Sequence, residues 1–342
     1  MPLPIQITSR LRLPMIAAPM LKVSGPELVA AACRNGIIGA FPTLNAGSSE
    51  ELDSWLGRIE ADLAESPAPA APVCPNLVMR RRPEALDGDI AVLVKHKVEM
   101  VIVSVGSPAP VVERLHDVGC LVFTDVASVR NAEKALEAGA DGLVLLGSGA
   151  GGHTGWANGM AFVRAVRAMY EGPVVLAGGI SDGTALWAAR VLGCDLGLAG
   201  TPFIATAESM AVDAYKQMLV DSRLDDVILT QAFTGLDTNT LRASILAAGI
   251  DPNSLGGPVT PERARELFSE YSKEARGPKR WVDIWAAGHT VSGVDKVRPV
   301  AALVSKFEQE YVAARSLTNA LLNEAVADCH SGDRLPVLVR SH

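Results

Sequence analysis

His153 is the side chain in this sequence best suited to moving a proton. It follows four glycines, Gly147, Gly149, Gly151 and Gly152, in the stretch LVLLGSGAGGHTG that begins at Leu143. An imidazole titrates near neutral pH and serves as a base or a hydrogen-bond donor. So dense a run of glycine is entropically costly, and close approach of the backbone to a ligand would offset that cost. Two further sets, Gly178–Gly179 in LAGGI and Gly200–Thr201 in LAGTPF, present bare amides one βα unit apart. Bare amides next to a helix start suit phosphate oxygens. Either set alone can also be a simple turn former. The pair together points to a phosphate-bearing ligand.

These residues need a frame that brings them to one place. Eight short apolar runs supply it: PMIAAP (14–19), IIGAFP (37–42), VCPNLV (73–78), MVIVSVG (100–106), LVFTDV (121–126), GLVLLG (142–147), VVLAGG (174–179) and LGLAGT (196–201). Their hydrophobicity is continuous rather than alternating, as in parallel strands covered on both faces. Amphipathic segments lie between them. SVRNAEKALEAGAD (128–141) and SDGTALWAARVLGCD (181–195) each read as helix, glycine stop, Asp and then buried strand. The alternation predicts an α/β fold, a (β/α)8 barrel, with a doubly wound open sheet as the alternative. Every glycine set named above then falls at the carboxyl end of a strand, where such barrels carry function.

The expected organisation is a barrel over 1–209, a helical substrate lid over 210–280 without strand-like runs, a return segment and closing helix over 281–317, and a weakly patterned tail over 318–342. Thr260–Pro261 marks a helix start within the lid. Phe233–Arg242 is the expected contact face of the lid.

Composition narrows the classes. A net charge of −7 argues against nucleic acid or a membrane surface as partner. The short run Arg80–Arg82 reads as a solvated loop. No apolar run is long enough to span a bilayer, and the amino terminus lacks a signal-peptide pattern. The five scattered cysteines form no CxxC pair. The expectation is therefore reduced thiols, no metal and a cytoplasmic protein, monomer or homodimer, acting on a small molecule. Cys194 reads as structural.

The strand ends further restrict the ligand. No lysine sits at one, so pyridoxal phosphate lacks its Schiff-base partner. Met20, Asn76, Ser104 and Gly147 are neutral there, and only Asp125 is charged. Asp125 reads more naturally as a helix N-cap than as a catalytic group. A neutral, amide-rich mouth suits a flat aromatic cofactor with a phosphate tail, namely FMN. Trp156 and Trp285 read as packing residues that could line an aromatic pocket.

GSGAGGHTG, with APM at Ala18–Met20, PNLV at Pro75–Val78, LAGGI and LAGTPFIATAES, resembles the nitronate monooxygenase family, formerly called 2-nitropropane dioxygenases. DIWAAGHTVSGV near the end extends the likeness over almost the whole chain. The resemblance implies an FMN-containing barrel with a helical lid. It implies that Ala18, Pro19 and Met20 pack against the isoalloxazine, that Asn76 contacts the ring, and that Gly151 and Gly152 bring amides to the flavin side. Gly178, Gly179, Gly200 and Thr201 would hold the phosphate, and His153 would face the substrate as the base. The implied reaction is oxidation of alkyl nitronates or nitroalkanes with O2 to a carbonyl compound and nitrite. The alternative is an NAD(P)H-dependent FMN reductase of quinones or an enoyl thioester, with NAD(P)H a transient co-substrate bound over the flavin because no separate GxGxxG dinucleotide unit is present. A flavin-binding barrel without turnover is a third reading, which His153 disfavours.

Two positions depart from the family pattern. Some members carry a lysine where this chain has Asp125, and many carry a glutamine where it has His289. A second imidazole there, with Trp285, is expected at the substrate pocket.

Overall fold

The computed structural model describes residues 3–257, 259–268 and 278–331. Its strands, in chain order, are β1 (Met15–Ala17), β2 (Ile38–Pro42), β3 (Val73–Val78), β4 (Met100–Ser104), β5 (Leu121–Val126) and β6 (Gly142–Leu146). They continue with β7 (Gly152–His153), β8 (Val174–Ala177), β9 (Leu196–Ala199), β10 (Val227–Thr230) and β11 (Thr238–Leu241). Eight of them, β1–β2–β3–β4–β5–β6–β8–β9, close into a parallel barrel, with β9 pairing back onto β1. These are the eight apolar runs of the sequence.

The barrel is filled by one side of each strand. Ile16, Ile38, Ile102, Phe123, Val144, Val175 and Leu196 form one buried cluster, joined by Leu3 and Ile7 of the amino-terminal segment. The other faces pack against the surrounding helices. The two glycine-stopped helices behave as their sequences require. Helix Val129–Glu137 is capped by Ser128, whose hydroxyl accepts from Asn131 N. Helix Gly183–Leu192 is capped by Asp182 and ends at Gly193 in the left-handed conformation, φ +110°, which glycine adopts without strain. The cap at Ser128 corrects the expectation for Asp125, which lies within β5 and caps nothing.

Beyond β9 the chain makes a long excursion. Its exit and return are joined: Thr206 pairs with Arg298 in a parallel bridge, Ala207 N donates to Arg298 O at 3.1 Å and Arg298 N to Ala205 O at 3.3 Å. The excursion contains helices Asp213–Asp221, Arg242–Ala247 and Pro261–Phe268. Thr260 Oγ1 accepts from Arg263 N, giving the last of these its expected start. The segment is not all helical, however. β10 and β11 pair antiparallel, and β11 pairs on with β7, making a three-stranded sheet between the excursion and the loop after β6.

The closing helix runs Val300–Ser331, past the expected end at Leu317. Trp187 Nε1 donates to Thr318 Oγ1 at 2.9 Å, and the Trp187 ring meets Tyr311 edge-on at 5.5 Å. The stretch 318–331 is therefore helix rather than tail, and the remainder of the expected tail lies outside the described residues. Cys33, Cys74, Cys120 and Cys194 are buried free thiols. No helix among the described residues is long and apolar enough to cross a membrane.

Candidate active site

A cavity of about 440 Å³ opens at the carboxyl ends of the barrel strands. Ala18, Pro19, Met20, Asn76, Gly151, Gly152, His153, Gly178, Gly179, Gly200 and Thr201 all border it. The excursion supplies the opposite wall through Tyr215, Thr234, Leu236, Arg280, Trp281 and Ala287. Phe233–Arg242 thus does contribute its Thr234 and Leu236.

Asn76 stands on β3, buried. Its Nδ2 donates to Ile102 O at 2.9 Å and to Ser104 Oγ at 2.7 Å. Ile102 O can only accept, which fixes the amide orientation. Both N–H donors are spent, so Asn76 brings only its Oδ1 acceptor to a ligand. The turn after β1 is held by Ser24, whose Oγ donates to Ala18 O at 3.0 Å and accepts from Met20 N at 3.1 Å.

Gly178 and Gly179 have φ of +97° and +87°. Glycine adopts both without strain, and bare amides at such a turn can approach an anion closely. A Cβ on Gly178 would lie 2.7 Å from Ala150 N, whereas one on Gly179 would meet nothing within 4 Å. Gly178 is bare because protein backbone abuts it, and Gly179 faces open space. Thr201 is buried, and its Oγ1 accepts from Gly288 N at 2.9 Å.

The glycine loop before His153 has a different cause from the one its sequence suggests. A Cβ on Gly151 would lie 2.6 Å from Gly288 N, and one on Gly288 would lie 2.6 Å from Gly149 O. The two backbones pack directly on each other, so Gly151 admits the return segment as well as bordering the cavity. Asn239, buried on β11, holds the same loop by donating to Ser148 O at 2.9 Å and Ala150 O at 2.7 Å. Thr154 Oγ1 donates to Gly147 O at 2.9 Å, closing the loop at its base.

His153 itself is a strand residue, paired with Thr238. Its ring meets Trp281 edge-on at 5.7 Å. Trp281 has φ +67°, rare for a bulky side chain and a form of strain found at functional sites. Burial, reinforced by the positive charge of Arg280, pushes the imidazole down to about 4. It is therefore neutral at physiological pH, and a far weaker base than an imidazole titrating near 7. Asp125 shows the opposite effect. Burial pushes its carboxyl up to about 6, and interaction with the Ser104 hydroxyl and Val105 amide pulls it part of the way back. Asp125 borders the cavity from β5.

The run Arg80–Arg82 is not simply a solvated loop. Arg80 and Arg81 border the cavity, and Arg81 is ion-paired with the buried Asp89. Trp285 stands one layer behind the wall, stacked on Tyr215 at 5.0 Å. His289 is exposed, and its ring lies beside Gly149 rather than bordering the cavity. Trp156 is 79% exposed and neither packs nor lines the cavity. Thr238 and Asn239 fall within the expected contact face Phe233–Arg242 and Arg280 at the expected end of the lid, but nothing in the sequence singled out these three as site residues.

Known proteins are similar to this chain in sequence and in fold. A nitronate monooxygenase of Paraburkholderia phytofirmans is 26% identical over 345 residues, covering 87% of this chain and 92% of its own. The structure of nitroalkane oxidase from Streptomyces ansochromogenes superimposes with a TM-score of 0.72 at 25% identity, covering 91% of this chain and 99% of that one. FabK from Thermotoga maritima gives a TM-score of 0.73 at 24% identity over 92% of this chain and 98% of its own, a likeness of fold. The family model for nitronate monooxygenase matches residues 59–310, and the chain is an oxidoreductase belonging to that family.

Proposed function

We propose that the protein binds FMN and oxidises alkyl nitronates with O2 to a carbonyl compound and nitrite, with the excursion over 210–280 acting as a substrate lid. The observation that carries this reading is the charge on the wall facing the barrel. Burial and, second to it, the positive charge of Arg280 keep His153 from becoming cationic, and that charge favours an anion in the space beside it. A nitronate is already such an anion and requires no base to form it. The neutral imidazole has one N–H to donate to a nitronate oxygen.

The residues present fit FMN. Gly179 has open space where a phosphate would lie, next to amides turned by two positive φ angles. Asn76 has only an acceptor left, which suits a ring N–H. The turn Ala18–Met20 offers backbone to a flat ring at the cavity wall. When bound, the flavin supplies the electron acceptor that O2 reoxidises. The chain holds the substrate anion, orients it through His153 and sets its wall with Trp281.

Anaerobic mixing with ethylnitronate, NADH or NADPH tests the reading. Bleaching of bound flavin by ethylnitronate, and nitrite formation in air, is the expected result. Bleaching by NADH or NADPH with no response to nitronate would overturn it in favour of NAD(P)H-dependent reduction of a quinone or enoyl thioester. A colourless protein that cannot be reconstituted with FMN would overturn the cofactor assignment.

A further inference from the structure

We infer that His289 is a binding residue for the phosphate monoester of the cofactor, an assignment that rests on the FMN reading above. The geometry starts at Gly149. The position a Cβ would take there lies 3.4 Å from His289 Nδ1 and 3.5 Å from Gly179 N. That position is in van der Waals contact with both an imidazole nitrogen and the amide nitrogen of the open glycine.

The backbone fixes the imidazole in that corner. His289 N donates to Gly149 O at 3.0 Å, and the preceding Gly288 N donates to Thr201 Oγ1 at 2.9 Å. The short 3-10 helix His289–Gly293 thus starts between the glycine loop after β6, at Gly149, and Thr201 after β9. Its far end lies beside Ser181, since a Cβ on Gly293 would lie 3.4 Å from Ser181 O. His289 is consequently held beside Gly149 by its own main chain and beside Thr201 by that of Gly288, and its ring is left out of that bonding.

The ring is available and suited to the ligand. It is exposed and makes no hydrogen bond to any described residue. Nothing lies within 4 Å of the position a Cβ would take on Gly179, and the three atoms nearest that position on Gly149 and on Gly178 include none of a lysine or arginine. An imidazole donates an N–H to a phosphate oxygen in either protonation state, and as a cation it adds charge. The departure from the family pattern at this position therefore bears on the cofactor's tail, not on the substrate pocket.

Riboflavin lacks the phosphate and separates a phosphate contact from a general packing role. Flavin-stripped full-length protein would be titrated with FMN and with riboflavin, for wild type, His289→Ala and His289→Gln. The expected result is an FMN affinity about tenfold weaker in His289→Ala, the scale of one hydrogen bond to a charged group. Riboflavin affinity should be unchanged, and His289→Gln should recover part of the FMN loss. Equal weakening of both flavins, or no change in either, would overturn the assignment while leaving FMN binding itself intact. Failure of wild type to bind FMN would overturn the underlying reading and this assignment with it.

Discussion

His153 and Thr238 face each other across an antiparallel pair, so the imidazole and the excursion share one sheet. The residue beside each continues the pairing, Gly152 with Asn239. Whatever loosens β11 therefore moves His153.

Asn239→Ala tests that coupling. It removes the donors to the half-buried carbonyl of Ser148 and the buried carbonyl of Ala150. A stability loss of about 1–3 kcal/mol in urea denaturation is expected. Turnover of nitronate should fall while FMN stays bound, because the glycines of the phosphate side are untouched. Unchanged turnover in a destabilised variant would show that the sheet does not position His153 for the reaction.

The low pKa of His153 makes a kinetic prediction. With the imidazole neutral above about 4, activity on preformed nitronate should be flat between about pH 5.5 and 8. Activity on a neutral nitroalkane should instead rise with the fraction of substrate already ionised in solution. His153→Asn should lower activity on both by a similar factor, roughly 10- to 100-fold for a lost hydrogen bond to an anion. A loss of about 10²–10⁴-fold confined to the neutral nitroalkane would instead identify His153 as a general base.

Asp125 and His153 contribute opposite pH dependences to stability. The Asp125 carboxyl is raised from 3.8 to about 6 in the fold, so the native state binds more protons between those values and loses stability as pH rises through them. His153 is lowered from 6.5 to about 4, so the unfolded chain binds more protons there and stability is lost as pH falls from 6.5 towards 4. Asp125→Asn should therefore raise Tm by a few degrees at neutral pH and leave it unchanged near pH 4. His153→Gln should flatten the acid side of the Tm profile. Differential scanning calorimetry across this range checks both signs.

The two glycines of the phosphate side should respond differently to substitution. Gly179→Ala meets open space and bears only the strain of φ +87°, about 1–2 kcal/mol. Gly179→Val projects further into the same space and should weaken FMN at least about tenfold with the fold intact. Gly178→Ala places a methyl 2.7 Å from Ala150 N and should destabilise the whole loop. Flavin absorbance and thermal melts of the three variants separate the cases.

The barrel was legible because each of its strands is buried on both faces and so reads as an unbroken apolar run. His153 stood out because a glycine loop leaves few side chains to choose from. The sheet behind it was hidden. β7 is two residues long, and VILT and TNTL are four each, too short for a period to emerge. Asp125 was misread because Ser128, three residues on, is the true cap. Arg80–Arg82 looked solvated because its ion-pair partner Asp89 belongs to the next helix, and the burial of an Asp leaves no mark in a sequence. The reason for Gly151 was equally hidden, since the backbone that presses on it arrives 137 positions later at Gly288.

The bridge between Thr206 and Arg298 has a consequence for how such a protein diverges. It works as a neck: the chain leaves the barrel and re-enters it at the same spot. An insertion or deletion beyond the neck lengthens or shortens a closed loop, at a cost that grows only with the logarithm of its length. Neither β9 nor the helix beginning at Val300 has to shift to accommodate it. Heritable variation in what the cavity admits is thereby uncoupled from variation in the scaffold, and the two can accumulate at different rates along one chain.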